Sequence, residues 1–245
     1  MDVITIVTVC YNAIDDIEKT IVSVINQTYQ NINYIVIDGK STDGTMDIVN
    51  KYSDKIDTII SEPDKGIYDA MNKGVKLAKG EWINFMNAGD TFHDKTTISQ
   101  LFSDNIPENA EVVFGDTLFV NGTKKRIEKN GNSWRDQYMP ACHQSIFCKT
   151  QLLRESPFDL KYRVCADFNF FYHLKNKESF IYRPIIVAIY DDSKGVSKNI
   201  FSMYKEIFDI VYCFPVSKYK YFSLCYKYKY RPFLSKRIKR ILHIK

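Results

Sequence analysis

The polar residues able to do chemistry recur at intervals in the first ninety residues: Asn12, Asp38, Asp43, Asp64 and Asp90. Each follows an apolar run rich in β-branched residues, so each stands at or just beyond the C-terminal end of a strand. Four carboxylates converging on one crevice repel one another unless a cation or a donor-rich ligand holds them. The chemistry they point to is binding of a metal ion or a sugar-like ligand. Asp90 closes the stretch "NFMNAGD", where one amide, Asn87, and two small residues precede the single carboxylate. Taken singly, Asp and Asn at such places cap helices and fix turns just as readily.

Strands alternating with helices must position these groups. "VITIVTV", "NYIVID", "DTIIS" and "EWINFM" read as strands, and each ends in a polar loop. Between them, Ile14, Ile17, Ile21, Val24 and Ile25 recur at helical spacing, "TMDIVNKY" follows a capping loop, and "IYDAMNKGVKLAKG" ends on Gly80 as its stop. This alternation predicts an α/β fold, with a parallel sheet covered by helices on both faces and strand ends opening on one edge. Ligands bind at that edge.

Composition narrows the classes. With 245 residues, 45% hydrophobic and 26% charged, the chain can bury a substantial core. No apolar run reaches the roughly 20 residues of a membrane span, and the first residues lack a signal peptide's pattern, so a cytoplasmic body is expected. Six cysteines without a C-x-x-C pair argue against a zinc site or a disulfide framework. The glycosylation triplets "NQT" and "NGT" are then chance matches. Neither "GxxxxGK[ST]" nor "GxGxxG" occurs, which weighs against an ATPase and a dinucleotide dehydrogenase. Charge is uneven: ten Lys and Arg and no acid follow Asp209, which leaves the first 209 residues at −5 of the overall +5.

With these stretches in order, the chain resembles the family 2 glycosyltransferases of bacteria, in the branch of polysaccharide, O-antigen and colanic-acid-type synthesis. The resemblance rests on "TIVTVCYN", "VINQTY", "YIVIDGKSTDGT", "SEPDKGIYDAMNKGVKLAKGEWINFMNAGD" and "CHQSIF". It implies a GT-A fold with a Rossmann-like, mainly parallel sheet. The nucleotide-sugar-binding half is expected over 1–115, the acceptor-binding and catalytic-base half over 116–210, and a basic amphipathic tail over 211–245. By the same resemblance, Asp38 recognises the nucleotide base, and Tyr11 and Asn12 line its pocket. Asp64 is the loop aspartate at the nucleotide-sugar, Asp69 and Asn72 begin the helix after it with Asn72 also at the nucleotide-sugar, and Asn87 and Asp116 lie at the sugar.

Asp90 is then the one acid left to coordinate a divalent cation, Mg2+ or Mn2+, at the donor diphosphate; such an ion needs only one or two protein carboxylates. Gly89 permits close backbone approach. Asp167, in "RVCADFNFFYHL", takes the catalytic-base position, although a charge at a helix N-terminus is its other reading. His143 and Gln144 fall on the acceptor and diphosphate side. Lys194, Gly195 and Ser197, in "DDSKGVS", fall in a loop that closes over the site and contacts phosphate.

The activity so implied is inverting transfer from a UDP-sugar to a lipid-linked, polyprenyl-diphosphate glycan at the cytoplasmic face of a bacterial plasma membrane. The tail supplies a surface for anionic lipid: Phe233, Leu234, Ile238, Ile241 and Leu242 form a near-helical stripe flanked by bases. No nucleic-acid-reading motif accompanies it. Two other classes stay open: a noncatalytic nucleotide-sugar-binding assembly subunit, suggested by the thinned acidic cluster, and a nucleotidyltransferase, disfavoured by the missing phosphate loop.

Overall fold

The computed structural model describes residues 2–103, 106–130, 139–174, 177–193 and 200–212. The chain divides into two compact units, 1–195 and 196–245. In the second unit the described part is one helix, α7 (Ile200–Tyr212). Lys194, Gly195, Ser197 and the basic tail from residue 213 onward lie outside the described residues. Among the described residues no helix is long and apolar enough to cross a membrane.

The first unit is built on one nine-stranded sheet. Its parallel part is β1 (Ile4–Cys10), flanked by β2 (Ile32–Asp38) and β4 (Trp82–Phe85), with β3 (Thr58–Ser61) outside β2. Every residue of β1 is buried, because helices cover both faces. On one face Ile4, Ile6, Tyr34 and Val36 pack with Ile17, Ile21 and Val24 of α1 (Ile17–Ile25) and Val49 of α2 (Thr45–Lys51). On the other lies α3 (Ile67–Leu77), set so close that a Cβ on Gly74 would stand 2.5 Å from Val7.

Beyond β4 the sheet becomes mixed. β8 (Ile146–Lys149) runs antiparallel to β4 and to β6 (Val112–Asn121), while β9 (Phe180–Asp191) runs parallel to β6. The short β5 (Thr91–Phe92) closes the far edge, and β7 (Lys124–Glu128) forms a hairpin with β6. Three more α-helices are found among the described residues of the unit: α4 (Thr97–Leu101), α5 (Thr150–Glu155) and α6 (Ala166–His173).

Gly80 departs from its expected role. α3 ends at Leu77, and Gly80 serves instead as a point of contact with β1, where a Cβ would lie 2.5 Å from the Thr5 nitrogen and 2.6 Å from the Val3 oxygen. The residue is needed for close backbone approach and not for stopping the helix. Residues 1–115 and 116–193 share the sheet, and the pairing of β4 with β8 joins them.

Candidate active site

Three groups of polar side chains line the mouth of the parallel strands. The first surrounds Asp38, fully buried at the end of β2. Its carboxylate accepts hydrogen bonds from the Ser41 amide at 2.9 Å, from the Ser61 hydroxyl at 2.6 Å and from the Ser41 hydroxyl. Asn12, at φ 47°, takes the left-handed conformation that Asn tolerates. Its backbone N–H donates to Ser41 Oγ, and its side-chain Oδ1 accepts from the Thr42 backbone amide. Asp43 accepts from the Ile14 and Thr45 amides, and the Thr45 hydroxyl holds its carboxyl below the usual range. Asp64 accepts from the Gly66 amide and leaves its other oxygen 2.6 Å from where a Gly39 Cβ would be. Beside it the Tyr11 ring is 65% exposed, a flat apolar surface at the rim.

The second group is the "NAGD" turn and its partner, a single 3-10 turn at His143–Ser145 that leads into β8. β4 and β8 pair only at Trp82 and Ile83, and then diverge. Asn84 bridges the gap, its Nδ2 donating to the carbonyls of Gln144 and Ile146 at 3.0 and 2.8 Å. Two further bridges follow three and six residues on. Asn87 Nδ2 lies 2.9 Å from His143 Nε2, and Gln144 Nε2 donates to Asp90 Oδ2 at 2.6 Å. Asp90 Oδ1 accepts from the Asp191 amide. Burial raises the Asp90 carboxyl to about 6.

From below, the Thr20 hydroxyl takes the Gly89 amide at 3.0 Å and donates to the Asp90 carbonyl at 2.7 Å. Gly89 has φ +105°, a region that side chains avoid, and its would-be Cβ meets nothing nearer than 3.8 Å. Backbone conformation, not crowding, therefore requires glycine at this position.

The third group centres on Asp167, at the first turn of α6. Its Oδ2 lies 2.9 Å from His143 Nδ1, and its Oδ1 accepts from the Tyr68 hydroxyl at 2.7 Å and the Phe168 amide at 2.8 Å. Burial alone would raise this carboxyl, but the donors from His143, Tyr68 and Phe168 outweigh it and hold it below the usual range. Asn72 acts on this group at one remove. Its Nδ2 donates to the Phe158 carbonyl and its Oδ1 accepts from the Phe158 amide. Phe158 in turn packs on Tyr68, Phe85 and Phe170, with ring centroids 5.4, 5.4 and 5.8 Å apart. The Asn72 amide is thus spent on holding α3 to the segment that seats α6. Asp69 likewise accepts from the Lys65 amide at the start of α3.

Asp116 stands apart on β6, where the register against β9 shifts on both sides of it. Such a bulge re-aims a side chain. Its Oδ1 accepts from the Asn130 amide and the Tyr182 hydroxyl, both at 2.9 Å.

This set of strand ends and turns has counterparts in known proteins. Residues 5–173 match the model of glycosyl transferase family 2. The chain belongs to that family. A PGL/p-HBAD biosynthesis glycosyltransferase of Mycobacterium bovis is 31% identical over 188 residues, 73% of this chain and 72% of the relative. A second relative, the Escherichia coli UDP-Glc:alpha-D-GlcNAc-diphosphoundecaprenol beta-1,3-glucosyltransferase WfaP, is 41% identical over 91 residues, 37% of this chain and 36% of the relative.

Among solved structures, S. aureus TarS 1-349 in complex with UDP superposes with TM-score 0.64 at 17% identity, over 85% of this chain and 64% of that one. The Pyrobaculum calidifontis mannosyltransferase PcManGT, in complex with GDP-Man and Mn2+, gives 0.65 at 16% identity, over 85% and 63%. The chain spans 39% of a longer TarS structure. The family 2 chain therefore has the GT-A fold, and the four parallel strands are the part read directly from the sequence.

The Mn2+ of that mannosyltransferase prompts the question of what could hold an ion here. In the family 2 chain both Asp90 oxygens already carry donors, from Gln144 and from Asp191. Asn87 and Gly89 bring no charge, and among the described residues no group of three His, Cys, Asp or Glu could hold a metal ion. What remains is one carboxylate with a lone pair left on each oxygen, which fits only an ion that takes its other ligands from a bound diphosphate and water.

Several residues of the site carry no isolated sequence signal. Thr20 lies among the apolar positions of α1, and Tyr68 sits where an aromatic core residue is expected. Asp191 precedes the loop residues singled out in "DDSKGVS". The four described cysteines, Cys10, Cys142, Cys148 and Cys165, are free thiols.

Proposed function

We propose that this family 2 chain is an inverting glycosyltransferase that moves one sugar from a UDP-sugar to a lipid-linked, polyprenyl-diphosphate glycan. The observation that carries the reading is the ionised Asp167 carboxylate, joined through His143 to the "NAGD" turn and buried beside the mouth of the nucleotide-binding strands. Inversion requires one base: the acceptor hydroxyl gives its proton to Asp167 as its oxygen bonds to the anomeric carbon, and the bond from that carbon to the diphosphate breaks. UDP leaves with the electron pair.

In this reading Asp38 is the acceptor for the uracil edge, with Ser41 and Ser61 fixing its orientation. The exposed Tyr11 ring offers a stacking face, and Asp64 lies next to it. Asn12 shapes the loop, while Asn87 and Asp116 border the sugar. The UDP-Glc donor and diphosphoundecaprenol-linked acceptor of WfaP support both the UDP donor and the lipid-diphosphate acceptor. The divalent cation expected on Asp90 is assigned no step; Asp90, which also holds Gln144 and the Asp191 amide, is the residue that would hold it at the donor diphosphate. Lys194 and Ser197 remain proposed phosphate contacts. The basic tail remains the proposed contact with anionic lipid at the cytoplasmic face of the membrane.

The test is UDP release from a panel of UDP-sugars with lipid-diphosphate sugar acceptors, with and without Mg2+ or Mn2+, comparing wild type with Asp90→Ala. Turnover of one donor supports the proposal. UDP binding without turnover of any donor overturns it in favour of a noncatalytic binding subunit, and release of diphosphate in place of UDP points to nucleotidyl transfer. Removal of residues 218–245 is expected to abolish co-sedimentation with anionic vesicles; unchanged binding would defeat the membrane role of the tail.

A further inference from the structure

The first position of "NAGD" is an amide that touches the imidazole beside the base. Asn87 is nearly buried; its Nδ2 lies 2.9 Å from His143 Nε2, and its Oδ1 is buried without a partner. On the other side of the ring, His143 Nδ1 lies 2.9 Å from Asp167 Oδ2. An ionised carboxylate only accepts, so Nδ1 carries a hydrogen. The state of Nε2 then depends on residue 87. With the amide NH2 turned toward it, Nε2 must be a lone pair, and the ring is neutral. Turning the amide over would require Nε2–H and an imidazolium, and would leave Nδ2 as the unpartnered atom. Neither orientation satisfies more amide atoms than the other, and the neutral ring avoids burying a second charge.

We propose that Asn87 is a positioning residue that fixes His143 as the neutral Nδ1–H tautomer, so that Asp167 receives a neutral hydrogen bond from the imidazole. This rests on the reading of Asp167 as the base. A neutral donor stabilises the carboxylate less than an imidazolium does, and so leaves Asp167 a stronger base. A carboxylate at position 87 would do the opposite: it can only accept, so it would demand Nε2–H and hold a charged ring between two acids. The ionisable groups around the ring are Asp167, bonded to Nδ1, and Asp90 on the "NAGD" turn; Tyr68 of α3 bonds Asp167, and Cys142 lies close to both acids.

The experiment uses the full chain labelled with 15N-histidine, with His143 assigned among the four histidines by difference from His143→Gln. At pH 7.5 the wild-type ring is expected to be neutral with hydrogen on Nδ1, and Asn87→Asp is expected to carry hydrogen on both nitrogens. In turnover assays Asn87→Asp should be slower by roughly tenfold near neutral pH and regain activity as pH rises. A wild-type imidazolium, an Nε2–H tautomer, or an Asn87→Asp spectrum like that of wild type would overturn the proposal. Where Asn87→Asp does not fold, the wild-type spectrum still decides. Failure of the transferase reading appears separately, as absent turnover in wild type, and leaves the spectrum unaffected.

Discussion

Asp90 and Asp167 are buried to nearly the same depth, 6% and 9% exposed, yet their carboxyls move in opposite directions. Burial raises Asp90 to about 6, against the pull of Gln144 and the Asp191 amide. Asp167 meets the same burial, but three donors, one of them an imidazole, bring it below the usual carboxylate range. The number and kind of donors, more than depth, decide which acid stays ionised. The fold supplies those donors unequally. Asp90 lies on a short turn between β4 and β5, reached by one side chain from the facing turn. Asp167 lies where α3, α6 and the His143 turn meet.

The largest effect should come from removing the charge at Asp167. Asp167→Asn is expected to cut turnover by about 10²–10⁴-fold, the usual worth of a positioned base. UDP affinity, measured by calorimetry, should be retained. Loss of UDP binding along with turnover would move Asp167 out of the base role and erase the functional side of the contrast.

Asp90 gives the next largest effect, and with the opposite pH dependence. A carboxyl raised in the folded state holds its proton to higher pH than in the unfolded chain, so folding stability falls as pH climbs from about 4 through about 6. Two units correspond to roughly 3 kcal/mol for so buried a group. Asp167 runs the other way: its contribution is present above the unfolded value and is lost as pH falls through its lowered folded value. Denaturant titrations of wild type and Asp90→Asn between pH 4 and 7 test this. The variant should lose the downward slope across that window, whatever its absolute stability. A variant with the wild-type slope would show that Asp90 is not the raised group.

The same contrast marks what could be read from the sequence. β1 to β4 were legible because each is a β-branched run followed by a polar loop, and local pattern alone sets a parallel strand buried on both faces. Asn87 and Asp90 stood out as polar groups at the end of such a run. His143 and Gln144 were placed by the family resemblance alone, and their pairing with these groups was not legible, since they lie more than fifty residues away and meet them only because β8 pairs with β4 for two residues and then diverges. Tyr68 was hidden for a different reason. An aromatic residue on the buried face of α3 reads as core, and only its hydroxyl distinguishes its role. Asn72, read at the nucleotide, clamps Phe158 because the loop before α6 returns over α3.

Tyr68→Phe has the smallest expected effect and sharpens the contrast most finely. The Tyr68 hydroxyl lies 2.7 Å from Asp167 Oδ1 and 2.8 Å from the Val164 carbonyl, with one hydrogen for the two acceptors. The charged acceptor takes the stronger bond, so the hydrogen is expected to lie on Asp167. Phenylalanine keeps the ring packing on Phe158 and removes only that donor. Stability should drop by about 1 kcal/mol at neutral pH. The Asp167 carboxyl should rise toward its ordinary value, because His143 and the Phe168 amide remain while burial is unchanged. Acid unfolding should then begin at higher pH in the variant than in wild type, while stability from pH 5 to 7 keeps the wild-type slope due to Asp90. If the acid limb stays where it is, the hydroxyl serves Val164, and the low Asp167 carboxyl is the work of His143 and the helix amide alone.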